Sequence, residues 1–339
     1  MPETDPRYYI DGVLAGDRKI LSKTITLVES HLSRHKQFTT AILDSLLPHA
    51  GHSIRLGISG VPGVGKSTFI ESLGLGLLEK GHRVAILTVD PSSARSGGSI
   101  LGDKTRMEKL SADPRAYIRP SPAGRTLGGV ARKTRETIAV CEAAGFDVVI
   151  VETVGVGQSE YTVASMVDFF LVLLLAGGGD ELQGIKRGIL EIADALAVNK
   201  ADGGNVEQAE QARQVYENAL HLVGASDSGW QPPVLTCSAL TNTGMEEIWE
   251  TVLAHNRQMR KSGRFDSRRR QQAKDWFIYL LDEGLKEWFY HMPEVRKKLS
   301  DAQRQVENGS TTAMAAARQL LEILDGIRQE NNPGDGNTR

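Results

Sequence analysis

The sequence predicts an α/β fold: a mostly parallel sheet with helices on both faces, plus a helical N-terminal arm and a helical C-terminal extension. Three observations carry this reading. Short runs of Val, Ile and Leu recur through the middle of the chain, nearly continuous rather than alternating, as strands covered on both faces are. Between them apolar residues fall at three- and four-residue steps, the helical period. Outside residues 51–256 the strand-like runs stop and the helical period continues alone.

Taken in order, residues 1–50 form the arm. "LSKTITLVESHL" and "QFTTAILDSLL" carry the helical spacing, with no Gly or Pro inside either. The predicted strands are "IRLGIS", "RVAILTVD", "DVVIVET", "FFLVLLLA", "ALAVNK" and "PVLTCSA". After Lys66, the residues Phe69, Ile70, Leu73, Leu77 and Leu78 make one apolar stripe that Lys80-Gly81 ends. "TRETIAVCEAAG" ends in the same way at Gly145. Residues 257–330 read as helices, with Trp276, Phe277, Leu280, Leu281, Leu285, Trp288 and Phe289 on one broad stripe. Large aromatics in such a stripe suit either packing on the α/β core or a dimer interface. Ser310 or Thr311 is the expected cap of the last helix, and residues 331–339 read as a disordered tail.

The chain has 339 residues, 40% of them hydrophobic, which is enough for a large core. Its net charge of −2 gives no global attraction to nucleic acid or an anionic membrane, so neither is an expected partner. Arg268, Arg269 and Arg270 read as a solvated helix face. Cys141 and Cys237 lack metal-ligand spacing and read as reduced core residues. The longest apolar run, residues 169–176, is far short of the ~20 residues that span a bilayer. The N-terminus has neither a secretory nor a transit pattern, so a cytoplasmic location is expected.

"GVPGVGKST" (60–68) follows a predicted strand and opens a predicted helix, the context of a phosphate-binding loop. The fold is therefore of the P-loop NTPase type. Gly63 and Gly65 let the backbone curl so that successive N–H groups face the phosphates, and Gly60 and Val64 belong to the same nucleotide-binding loop. Lys66 adds a point charge for the β- and γ-phosphates, Ser67 a hydroxyl for Mg²⁺, and Thr68 continues the helix start. "LAVNKAD" selects the base. Asp202 accepts both guanine donors, Lys200 lays its stem on the ring, and Asn199 ties this loop to the phosphate loop. "CSAL" brings Ser238, Ala239 and Leu240 to the same edge, with the Ala239 N–H facing the guanine O6. Asp90 ends a strand, and Asp103 lies in the Ser/Gly-rich stretch that follows it; with Glu152 they are the metal-side carboxylates. The Gly155 N–H is the candidate γ-phosphate sensor. "AGGGDELQGIKRG" (176–188) places Asp180, Glu181, Gln183 and Lys186 near the same edge.

Together "GVPGVGKST", "VDPSSARSGGSILGDKTRM", "RPSPAGRTLGGVARKTRE", "VETVGVGQSE", "AGGGDELQGIKRG" and "NKAD" make the chain resemble the MeaB/ArgK/MMAA family over almost its whole length. These are P-loop GTPases that serve as chaperones of adenosylcobalamin-dependent acyl-CoA mutases. The resemblance implies GTP and GDP as ligands and a homodimer joined through the C-terminal extension. It also implies a GTP-gated partnership with a mutase, methylmalonyl-CoA mutase being the default. By the same resemblance residues 92–107 and 152–160 are two switches, and 177–188 is a third that communicates with the mutase.

A Ras-type GTPase carries Asp at the position of Glu152 and a water-orienting Gln at that of Val156. Intrinsic hydrolysis is therefore expected to be slow and to accelerate when a partner docks. Lys186 is the candidate for the added cation, and Gln158 or Gln183 for orienting water. Two other classes stay open at this point: an ATP-dependent kinase of a transport system, and an interaction module whose nucleotide is structural.

Overall fold

The computed structural model describes residues 5–30, 32–89, 107–120, 127–153, 159–176, 187–223 and 229–330. The expected tail at 331–339 lies outside them. The described chain divides after Arg269 into two compact units.

The first unit opens with three helices, α1 (Pro6–Leu14), α2 (Arg18–Val28) and α3 (Ser33–Leu46). Asp5 and Asp17 start the first two by accepting from backbone N–H groups of the first turn, and Pro6 fits where its missing N–H costs nothing. The arm buries Tyr9, Val13, Leu21, Ile25, Ile42 and Leu46 in one core cluster.

The sheet comprises β1 (Ile54–Gly60), β2 (Val84–Val89), β3 (Ala116–Arg119), β4 (Val148–Thr153), β5 (Phe169–Leu175), β6 (Ala195–Asn199) and β7 (Val234–Thr236). Every pairing is parallel, and the order is β3-β2-β4-β1-β5-β6-β7. Its helices are α4 (Lys66–Glu79), α5 (Glu108–Ala112), α6 (Leu127–Ala143), α7 (Ser159–Ala164), α8 (Arg187–Ile192), α9 (Val206–Val223) and α10 (Met245–Lys261). Alternate residues of one strand feed opposite cores. Val149 and Val151 of β4 join the cluster that holds the arm. Val148 and Ile150 join a second cluster with Phe69, Leu73, Ile248 and Trp249 of α4 and α10. Burial on both faces is the reason the strands read as continuous apolar runs.

Six strands match the runs expected from sequence. The seventh, β3, is a four-residue strand, "AYIR", that among the described residues pairs only with β2. Both cysteines are free and buried.

The arginine cluster departs from expectation. Arg270 is exposed, but Arg268 and Arg269 are tied to the amino-terminal edge of the sheet. Arg269 donates to both carboxylate oxygens of Asp168, at 2.8 and 2.6 Å, and to the Ser53 carbonyl at 2.8 Å. Asp168 also accepts from the Arg55 N–H at 2.8 Å. Arg268 faces Asp194, whose carboxylate accepts from the Phe170 N–H at 2.8 Å. Two carboxylates that begin neighbouring strands need counter-charge, and the two arginines supply it.

The second unit contains most of α11 (Arg264–His291), then α12 (Pro293–Glu307) and α13 (Ala313–Glu330). α12 and α13 pack on one another, burying Val295 and Ala316. The cap of α13 is Thr312, one residue past the expected pair, and its hydroxyl accepts from the Ala315 N–H at 3.2 Å. No described helix is long and apolar enough to cross a membrane.

Candidate functional site

The carboxyl ends of β1, β4, β6 and β7 gather the candidate residues at one edge of the sheet. β1 ends at Gly60, where a Cβ would stand 2.6 Å from the Leu173 carbonyl oxygen of β5. Only glycine lets the strand end lie so close to its neighbour's backbone. The loop then turns into α4 at Gly65, whose φ of +92° is left-handed. Val64 is fully buried beneath it. The free N–H groups of the first turn of α4 and its positive dipole end can hold an anion here.

The Lys66 ammonium donates to the Gly60 carbonyl at 2.8 Å and the Val61 carbonyl at 3.3 Å. Burial lowers its pKa, and the charges of Glu152 and Glu160 oppose that shift. Ser67 is half-buried and Thr68 exposed. Glu152 lies near the end of β4, between Ile58 of β1 and Thr88 of β2, and is buried. Its neighbour Thr153 donates to Ser59 Oγ at 2.8 Å, joining the ends of β4 and β1.

Asn199 organises the far side of the site. Its side chain is 1% exposed, and its amide donates to the Val64 carbonyl at 2.8 Å. Its Oδ1 accepts from the Ala239 N–H at 3.2 Å and lies 3.6 Å from the Cys237 thiol. The Ala239 N–H assigned to guanine from the sequence is thus engaged with Asn199 in this structure. Lys200 holds a left-handed φ of +64°, uncommon for a residue with a side chain. Asn205 Nδ2 steadies it by donating to the Lys200 carbonyl at 2.8 Å. The Lys200 Cε would sit 3.9 Å from a Cβ on Gly65, so its stem runs along the phosphate loop. The Ser238 hydroxyl donates to Asp202 Oδ2 and accepts from the Thr241 N–H at 3.2 Å, which fixes the carboxylate. Leu240 is 81% exposed beside it.

The structure therefore brings together Gly60, Val64, Gly65, Lys66, Asn199, Lys200, Asp202, Ser238 and Ala239. Asp90, Asp103, Gly155, Val156, Asp180, Glu181, Gln158, Gln183 and Lys186 lie outside the described residues. Glu160 is a further carboxylate of the site that no motif spacing singles out. It is fully buried in the first turn of α7 and acts on the Lys66 charge. Its only sequence signal was a carboxylate eight residues beyond Glu152 in one motif.

Three comparisons bear on this site. The family model described as "Methylmalonyl Co-A mutase-associated GTPase MeaB" matches residues 21–294. A probable GTPase of Mycobacterium tuberculosis is 52% identical over 320 residues, covering 93% of this chain and 95% of that protein. The mitochondrial methylmalonic aciduria type A homolog of Mus musculus is 44% identical over 323 residues, covering 92% of this chain and 78% of the relative. Among solved structures, one titled a LAO/AO transport system kinase superposes with a TM-score of 0.76 at 38% identity, covering 95% of this chain and 98% of that one.

Proposed function

Because the chain belongs to the MeaB family of methylmalonyl-CoA mutase-associated GTPases, we propose that it is a slow GTP hydrolase that gates cofactor loading, protection and reactivation of an adenosylcobalamin-dependent acyl-CoA mutase. The observation that supports the nucleotide half is the Asn199 bond to Val64, which sets the base-selecting loop against the phosphate loop. One ligand with a phosphate end and a base end fits that pairing. Lys66 and the first turn of α4 hold the phosphates, the Lys200 stem covers the base, and Asp202 accepts the two guanine donors. Adenine presents no such pair of donors.

Mg²⁺ fits the donor set. Among the described residues no group of three or more His, Cys, Asp or Glu is placed to hold a metal alone. Mg²⁺ asks for less, since it takes one or two carboxylates and completes its shell with phosphate and water. Ser67 would hold it together with one or two of the candidate carboxylates Glu152, Asp90 and Asp103. When bound, it neutralises charge on the phosphates.

With Val156 at the position of the usual glutamine, water orientation is incomplete and basal turnover is slow. Docking of the mutase brings Lys186 toward the phosphates, and Gln158 or Gln183 orients the water. The chain works as a cytoplasmic homodimer joined through its C-terminal helices. The transport-kinase reading is less favoured, because Asp202 selects against adenine.

The test is phosphate release from GTP and from ATP, each with and without methylmalonyl-CoA mutase. GTP is preferred by more than tenfold if the bidentate contact contributes about 1.5–3 kcal/mol. Asp202→Asn abolishes that preference, and Lys186→Ala keeps GTP affinity but loses the stimulation. Equal use of both nucleotides, or a Lys186→Ala variant still fully stimulated, overturns the respective assignment.

A further inference from the structure

The motif that ends at Gly188 contains a glycine to which no nucleotide role falls. Gly188 lies in the first turn of α8 with helical backbone, so a left-handed turn is not the reason for it. A neighbour explains it. A Cβ on Gly188 would overlap the Tyr161 hydroxyl oxygen and stand 3.1 Å from Cζ. Tyr161 belongs to the first turn of α7 and is 50% exposed. Its ring tip therefore rests on a patch of helix backbone that only glycine leaves open.

The two helices hold special places in the chain. α7 directly follows residues 154–158, and α8 directly follows residues 177–186. α7 packs on β1 and β4, the strands that deliver Gly60 and Glu152 to the site. α8 packs on α7 and on α9. We propose that the seat of Tyr161 on Gly188 is a positioning contact that transmits the nucleotide-dependent setting of α7 to α8. It rests on the reading above for the identity of the two ends, the γ-phosphate at one and the mutase at the other. Packed helices shift between discrete arrangements more readily than they deform, so one close contact is enough to make them move together. A side chain at 188 evicts the tyrosine. Because the ring is half exposed, eviction needs a rotamer change and not unfolding.

Hydrogen–deuterium exchange on the full-length protein tests this, with GDP and then with the β,γ-imido analogue of GTP plus Mg²⁺. In the wild type, exchange in both α7 and α8 changes between the two nucleotides. In Gly188→Ala and in Tyr161→Ala, α7 still responds, while the difference at α8 shrinks by roughly two- to thirtyfold. Tyr161→Phe behaves as wild type because its ring still reaches the glycine. The Tyr161→Phe/Gly188→Ala pair regains most of the α8 response, since removing the oxygen relieves the overlap. An α8 response that is absent in the wild type, or equal in wild type and both single variants, overturns the inference. So does a loss of protection that is the same with both nucleotides, which marks a structural role alone. Phosphate release by the wild type with and without the mutase is a separate measurement. A wild type without stimulation defeats the parent reading and leaves the exchange result to decide this one.

Discussion

Asn199 joins segments that lie far apart in the sequence, with Val64 135 residues before it and Ala239 40 residues after it. Asn199→Ala leaves a buried carbonyl and an N–H without this partner, at about 1–3 kcal/mol each. GDP affinity is expected to fall by at least tenfold by calorimetry, with a lower melting midpoint. Glu142 shows the same dependence on distant partners. Its carboxylate accepts from Arg55 at 2.8 Å through both oxygens, from Ser53 Oγ at 2.5 Å and from the Gly51 N–H at 2.8 Å. Burial alone pushes its pKa up, but the Arg55 bonds and charge, Ser53 and Gly51 outweigh it and hold the group below 4.5. A depressed carboxylate contributes stability that is complete above its unfolded value and is lost as pH falls through its folded value. Glu142→Gln is therefore expected to flatten the acid limb of stability below pH 4.5 and to cost about 3–5 kcal/mol at neutral pH, measured by urea unfolding across pH. Asn199 was legible because it stands in a short motif of known spacing. The Glu142–Arg55 pair was not, because 87 residues separate the partners and no local pattern relates them.

At the scale of elements, strands buried on both faces announced themselves through unbroken apolar composition. β3 did not, because a four-residue edge strand needs only one neighbour and contributes just Ala116, Tyr117 and Ile118 to burial. The role of the arginines at the start of α11 is hidden in the sequence for a related reason. A charge run looks solvated until the fold places Asp168 and Asp194 opposite it, 101 and 74 residues away. Arg269→Met removes the cation from a buried carboxylate and is expected to destabilise the first unit by about 3–5 kcal/mol in urea unfolding. Arg269→Met combined with Asp168→Asn should recover part of that loss. The effect belongs to the amino-terminal edge of the sheet, so GDP affinity of the folded fraction should stay within a few-fold of wild type.

For the molecule as a whole, the telling feature is an apolar stripe on α11 that is exposed among the described residues. Phe277 is 61% and Trp288 55% exposed, with Ile278, Leu281 and Leu285 also exposed between them. A face of this composition is costly to leave in water and fits the proposed union of two copies. Leu281→Glu with Trp288→Glu is expected to convert a dimer to a monomer in light scattering while leaving GTP affinity unchanged. An unaltered mass would refute the assignment of this face. The order of the sheet also has a consequence during synthesis. The central strand β1 pairs with β4 and β5, both made after it. At translation speeds of ~5–20 residues per second, a ribosome needs on the order of ten seconds to advance from Gly60 to Leu175. Until β4 is made, late in that interval, β1 has no strand to pair with, so this protein should lean on holdases at birth more heavily than a hairpin-built domain of equal mass.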